Sequence, residues 1–231
     1  MTEQTISPAE INKNTPVGKL ATAHPLATRV FHRHGIDFCC GGGKALEDAC
    51  KARNVEVEAV IEEINKELAA TDETPQRWDE ASFEDLVGHI LTVYHQPLHE
   101  ELPRLDVMAR KVLQVHGDKA PDVLPELVSV FAELRYELEQ HMFKEERVLF
   151  PMILQGQGSM ALGPIEVMQH EHESAGEALR RLRELTNDYT VPECACNTWQ
   201  ALWHGLAALE ADLQEHIHLE NNILFPRALK S

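Results

Sequence analysis

One phrase occurs twice in this chain. Residues 141–153 read HMFKEERVLFPMI and residues 216–228 read HIHLENNILFPRA. Both carry His-x-x-x-Glu-x-x-x-Leu-Phe-Pro, 75 residues apart. On an α-helix, a spacing of four puts two side chains on one face, one turn apart. His141 with Glu145, and His216 with Glu220, are therefore two nitrogen–carboxylate pairs, each able to grip a metal ion. Two such pairs set face to face could hold two ions. No β-type alternation competes with helical periodicity along the chain, so the expected fold class is all-α.

The chain divides near residues 71–77, TDETPQR, a polar stretch holding Pro75. Residues 1–76 form one expected domain and residues 77–231 another. The first shows helical patches at roughly 25–34, ending at Gly35, and at about 44–53 and 57–70. The second shows four long helical patterns. They break at His116–Pro121, at Gly156–Ser159 and from Tyr189 to Cys196, where Gly and Pro gather. Asn197 reads as the N-cap of the last helix.

Alternating steps of three and four trace a core seam along each long helix. The first gives Leu91, His95, Leu98, Leu102 and Leu105. The second gives Leu127, Phe131, Leu134, Leu138, His141, Glu145, Val148 and Met152. The third gives Ile165, Met168, His172, Ala175, Leu179 and Leu182. The fourth gives Leu202, Leu206, Leu209, Leu213, His216, Glu220 and Ile223. This is the step of a left-handed bundle of near-parallel helices. In it, four histidines and two glutamates stand where core residues belong. A buried carboxylate costs several kcal/mol unless something pairs with it, and metal coordination supplies the pairing.

The heights agree. His95 and His141 each lie about 20 residues, roughly 30 Å, from the first loop. Glu145 and His172 each lie about 10 residues, roughly 15 Å, from the second. In an up-down-up-down bundle all six residues meet at one level, and the two halves repeat one plan: a lone His, then His-x-x-x-Glu. Four imidazoles and two bridging carboxylates suit a binuclear iron site, with room for an oxo or hydroxo bridge and a small exogenous ligand. Mixed nitrogen and oxygen ligation with open positions suits iron or manganese, whereas closed structural zinc favours thiolate. Among the other histidines, His170 and His218 are expected to face outward, and His99, one turn from His95, to flank the site or lie on the surface. Pro97 removes a backbone donor and predicts a kink beside His95.

The net charge of −17 is spread as −4 over residues 1–76 and −13 over the remainder. That field repels nucleic acid and anionic lipid and favours cations. No apolar run approaches the roughly 20 residues needed to span a bilayer, and MTEQTISPAEINKNTP has no hydrophobic signal core. The expected location is the cytoplasm. Five cysteines form no regular disulfide framework. Cys39 and Cys40 precede three glycines, a setting expected to leave the thiols accessible. His32, Arg33, His34 and Lys44 are near enough in sequence to stabilise thiolate. A reactive pair and a pair of small buried hydrophobes are both open readings. Cys50 has no evident partner, and Cys194 with Cys196 reads as incidental.

With Phe38-Cys39-Cys40-Gly41-Gly42, the doubled motif, His95 and His172 in hand, the whole chain resembles the RIC (repair of iron centres) family. Residues 77–231 resemble the hemerythrin-like fold. The resemblance implies a di-iron protein that restores iron–sulfur clusters after nitric oxide or peroxide damage. Its metal ligands carry over to His95, His141, Glu145, His172, His216 and Glu220, and it favours Cys39 and Cys40 as a pair that handles a nitrosyl group, a metal or a thiol partner. The implied partners are damaged iron–sulfur proteins and, as small ligands, nitric oxide or dioxygen. A homodimer is compatible with this reading. Turnover as a nitric oxide reductase stays open. A hemerythrin-like dioxygen or nitric oxide sensor and a ferritin-like iron store are the rival readings.

Overall fold

The computed structural model describes residues 11–70 and 76–231. The leaderless reading of the N-terminus and most of the polar joint at 71–77 lie outside the described residues. The chain forms two compact units, residues 1–79 and 80–231. No helix among the described residues is long and apolar enough to cross a membrane.

Among the described residues the first unit packs four helices: α1 (Val17–Ala23), α2 (Ala27–Arg33), α3 (Leu46–Ala52) and α4 (Val57–Ala69). Their apolar faces meet in a core that includes Val17, Val30, Phe31, Phe38, Leu46, Val60 and Ile64. Helix α2 ends where the sequence places the stop. Gly35 takes φ +62°, the Ile36 amide reaches back to the Phe31 carbonyl at 2.8 Å, and Ile36 packs into the same core. This is a Schellman end, which needs a residue able to adopt a left-handed backbone. Helix α1 was not expected from periodicity. It spans seven residues and begins directly after Pro16.

The second unit is an up-down-up-down bundle of four rods. The first runs from α5 (Phe83–His89) through a π turn (Ile90–His95) into α6 (Gln96–His116). The second is α7 (Leu124–Lys144), a π turn (Glu145–Leu149) and α8 (Phe150–Leu154). The third is α9 (Leu162–Leu185), and the fourth is α10 (Asn197–His218), a π turn (Leu219–Leu224) and α11 (Phe225–Ala228). Helix α6 packs against α7 and α10, and α9 packs against the same two. The Ser82 hydroxyl caps the first rod, accepting from the Asp85 amide at 3.0 Å. At the start of α10, Cys196 rather than Asn197 holds the capping position, and Asn197 is already the first helical residue.

The π turns correct the expected seam. Each inserts one residue relative to α-helical spacing. Before His95 the fully buried residue is Ile90, five positions back, while Leu91 is only half-buried. After Glu145 the buried positions are Leu149, Phe150 and Ile153, while Val148 is 50% exposed and Met152 half-buried. Beside each turn stands a proline, Pro97, Pro151 or Pro226, two residues past its end. A proline has no N–H to give the carbonyl four residues back and crowds it sterically. The wider turn accommodates both, and the rod continues from His95 into α6.

Candidate metal centre

The seam brings the six polar residues to one level inside the bundle. His95, His141, His172 and His216 are 1–3% exposed, and Glu145 and Glu220 are 0% exposed. The Glu145 carboxylate lies 3.2 Å from Nε2 of His141 and 3.5 Å from Nε2 of His95. Glu220 lies 3.1 Å from Nε2 of both His216 and His172. The imidazoles also face one another, Nε2 to Nε2, at 3.2 Å for His95–His216 and 3.0 Å for His172–His141. Two sets of four result: His95, Glu145, His216 and Glu220, and His141, Glu145, His172 and Glu220. In each, the ligand atoms lie within 4.8 Å of one another, and both glutamates belong to both sets.

The outer ring nitrogens show which way the inner ones point. Nδ1 of His95 is 2.9 Å from Glu146, Nδ1 of His141 is 2.9 Å from Glu171, and Nδ1 of His172 is 2.9 Å from the Asn221 side-chain oxygen. Carboxylate and amide oxygens accept, so these three Nδ1 atoms donate, and in a neutral ring the Nε2 lone pair then points inward. His216 is held differently. Tyr94 stacks flat on its ring at 5.3 Å between centroids. A cyclic order emerges, because each histidine is held by the next rod around the bundle. In every case the holder is a sequence neighbour of that rod's own inward residue: Glu146 beside Glu145, Glu171 beside His172, Asn221 beside Glu220, Tyr94 beside His95. The repeated Phe of the doubled motif has a matching place. Phe150 packs on His95 at 5.7 Å and Phe225 stacks on His172 at 6.0 Å.

For His95, His141 and His172 the inward atoms are therefore nitrogen lone pairs, and they face carboxylate oxygens with few hydrogens among them; Nδ1 of His216 has no such acceptor. Both Glu145 oxygens and one Glu220 oxygen are buried without a hydrogen bond. Buried polar atoms left in that state cost about 1–3 kcal/mol each, more when charged. Without a cation the imbalance must be met by protons. Burial disfavours a charged imidazole, yet Glu145 and Glu171 push His141 up to about 10. Burial likewise favours a neutral Glu220, yet His216 and His172 hold its carboxyl well below the ordinary range. The donor set fits a pair of cations sharing two carboxylates.

The flanking histidines divide. His170 is exposed, as its place on the helix predicts. His99 is half-exposed and lies 3.4 Å from Glu146, the group that holds His95. His218 departs from expectation. It is 3% exposed and accepts at Nδ1 from the Asn222 amide at 3.0 Å. The end of α10 is covered on several sides, with Ile217 and Leu219 buried on either side of it, so angular position alone does not put a residue in solvent there. Glu146, Glu171, Asn221 and Tyr94 were missed in the sequence. The usable signal was their adjacency to the inward residues.

In the first unit, the Asp37 side chain organises Cys39 and Cys40. Its Oδ1 accepts from the amides of Cys39, Cys40 and Gly41 at 3.2, 3.0 and 2.9 Å and lies 3.3 Å from Sγ of Cys39. The two sulfurs are 3.8 Å apart, in hydrogen-bond contact and not joined by a disulfide. A side chain at Gly41 would press on Asp37 at 3.1 Å, so the first of the three glycines serves this close turn. The expectation of accessible thiols is corrected, since Cys39 is buried and Cys40 half-buried. Two of the four expected basic neighbours are engaged elsewhere, Arg33 by Glu63 and Glu67, and His34 by Glu63. The hydrogen bond with Cys40 and burial push the Cys39 thiol up. Asp37, Cys39 and Cys40 together form a third set of grouped metal-ligand side chains.

A family model described as the hemerythrin HHE cation binding domain matches residues 86–228, and one described as a domain of unknown function, DUF542, matches residues 13–68. Over 218 residues the chain is 45% identical to the iron–sulfur cluster repair protein YtfE of Pectobacterium atrosepticum, covering 94% of this chain and 98% of that protein. It is 44% identical, with the same coverage, to the protein of that name from Yersinia pseudotuberculosis.

Proposed function

The chain belongs to the family of iron–sulfur cluster repair proteins built on a hemerythrin domain, and we propose that it serves such repair through a two-iron centre held by His95, His141, Glu145, His172, His216 and Glu220. The observation that carries this reading is the group of buried carboxylate oxygens without hydrogen bonds, faced by imidazole nitrogens whose opposite edges are tied outward. One ion is assigned to His95 and His216 and the other to His141 and His172, with Glu145 and Glu220 shared. Iron at this place would supply reversible binding of a diatomic such as nitric oxide and a store of metal for a damaged cluster. The protein side chains supply the rest. The apolar bundle excludes water, and Glu146, Glu171 and Asn221 keep protons on the outer ring nitrogens.

Cys39 and Cys40 are assigned the transfer role, receiving or passing on a ligand, metal or electron, with Asp37 ordering their backbone. The test begins with metal analysis and Mössbauer spectroscopy of the purified protein, with and without nitric oxide. About two irons per chain are expected from the two four-residue sets. One zinc and no iron would overturn the assignment. Glu145→Ala or Glu220→Ala should lose metal and stability together, and a variant keeping both irons would show that the glutamate is not a ligand. Cys39→Ser with Cys40→Ser should keep the iron and lose reactivation of a nitrosylated iron–sulfur protein. Unchanged reactivation would make the pair structural.

A further inference from the structure

The mouth of the last bundle loop holds a cysteine and a histidine that the metal centre does not use. His116, the final residue of α6, is 8% exposed, and its ring packs against Trp199 at 5.2 Å between centroids. Its Nε2 lies 3.2 Å from Sγ of Cys196, while its Nδ1 is buried with no hydrogen-bond partner. Cys196 is solvent-exposed and stands at the capping position of the 22-residue helix α10. Cys194, two residues earlier, is also exposed.

The burial of Nδ1 favours one tautomer of the ring. An imidazolium, or a neutral ring protonated at Nδ1, would leave an N–H donor buried without an acceptor, which native structures rarely tolerate. The remaining form carries its proton on Nε2 and donates to sulfur. A thiolate is the stronger acceptor for that bond, and a helix N-terminus favours an anion. The Trp199 amide, and after it the Thr198 amide, lower the proton affinity of the Cys196 thiol.

We propose that Cys196 is a redox modification site, its thiolate held by the Nε2–H of His116 and attacking a neutral hydroperoxide. The sulfur lone pair forms an S–O bond to the peroxide oxygen that bears hydrogen as the O–O bond breaks. Sulfur is oxidised to the sulfenic acid, the peroxide is reduced, and the departing oxyanion takes a proton from solvent to leave water or an alcohol. The balance of −13 over the bundle-bearing part of the chain repels anionic oxidants such as charged disulfides and leaves an uncharged hydroperoxide unhindered. His116 is a positioning residue and donates to sulfur without touching the oxidant.

Cys194 provides the internal comparison, being exposed and nearby without a buried histidine against it. The full-length, iron-loaded protein is pulsed with iodoacetamide, which is uncharged, across pH 6–9, and each cysteine is quantified by peptide mass spectrometry. At pH 7 Cys196 should alkylate about tenfold faster than Cys194 and reach half its maximal rate at a lower pH. With limiting hydrogen peroxide and dimedone, the sulfenic acid tag should appear on Cys196. His116→Phe keeps a ring against Trp199 and removes the donor, and should bring Cys196 down to the Cys194 rate. Equal rates for the two cysteines in the unaltered protein, or a His116→Phe rate unchanged with native circular dichroism and iron content, would overturn the proposal. If that variant does not fold, the comparison of the two cysteines and the pH profile of Cys196 in the unaltered protein still decide it.

Discussion

At the scale of residues, the site is a problem in hydrogen-bond supply. Five of the six inward groups, Glu145, Glu220 and three histidines, offer lone pairs, and Glu146, Glu171 and Asn221 ensure it for those histidines by holding protons away from the centre. Glu171 shows how tightly this is set. Burial works against its charge, but His141 and Lys144 pull its carboxyl down to about 2, so it stays ionised and keeps the His141 proton on Nδ1. Replacing it with Gln leaves a neutral acceptor in the same place. Iron affinity should fall about 10- to 100-fold, as for other lost supports of metal-bound histidine, measurable by competition with a chelator. An unchanged affinity would mean that Glu171 only packs. The six inward residues were legible because helix spacing and burial cost act together, and few residue types survive both constraints. Their supports were not legible, because Glu146, Glu171 and Asn221 reach across to a neighbouring rod, and periodicity within one helix says nothing about its neighbours. The two open readings of Cys39 divide on burial, which the sequence does not display: the Cys40 hydrogen bond and burial push its thiol up, and Arg33 and His34 pair with Glu63 and Glu67.

At the scale of elements, the three π turns explain both what the seam predicted and where it slipped. Positions up to Glu145 follow α-helical steps, and beyond it the buried face moves by one residue, from Val148 to Leu149 and from Met152 to Ile153. The prolines of the doubled motif were visible, but a proline alone does not announce whether a helix will kink, stop or widen. The third rod has no such turn, and its seam from Ile165 to Leu182 is buried as expected. The join between the second and third rods sets a steric condition of its own. Gly158 is buried, and a Cβ there would run into the backbone carbonyl of Ala228 at the end of the fourth rod. Because backbone cannot swing aside as a side chain can, Gly158→Ala should destabilise the bundle by about 1–3 kcal/mol. Urea unfolding would read this as a lower midpoint, and a midpoint equal to that of the parent would show that the two segments can part without cost.

At the scale of the whole molecule, charge and enclosure would act on a metal held in the bundle in opposite senses. The net charge of −17 draws cations toward the surface. Added salt should therefore slow ferrous ion uptake, and stopped-flow loading at rising ionic strength measures it; a salt-independent rate would confine the acidic surface to solubility. Enclosure governs departure instead. Glu145 and Glu220 have zero exposure, so no chelator could touch an ion held by them while the rods stay closed. Escape must wait for a fluctuation of the bundle, and such openings occur at their own rate. Iron loss should then reach a plateau as chelator concentration rises, a unimolecular leak timed by the protein rather than by the scavenger. A recipient that collects iron faster than this plateau must prise the bundle open itself.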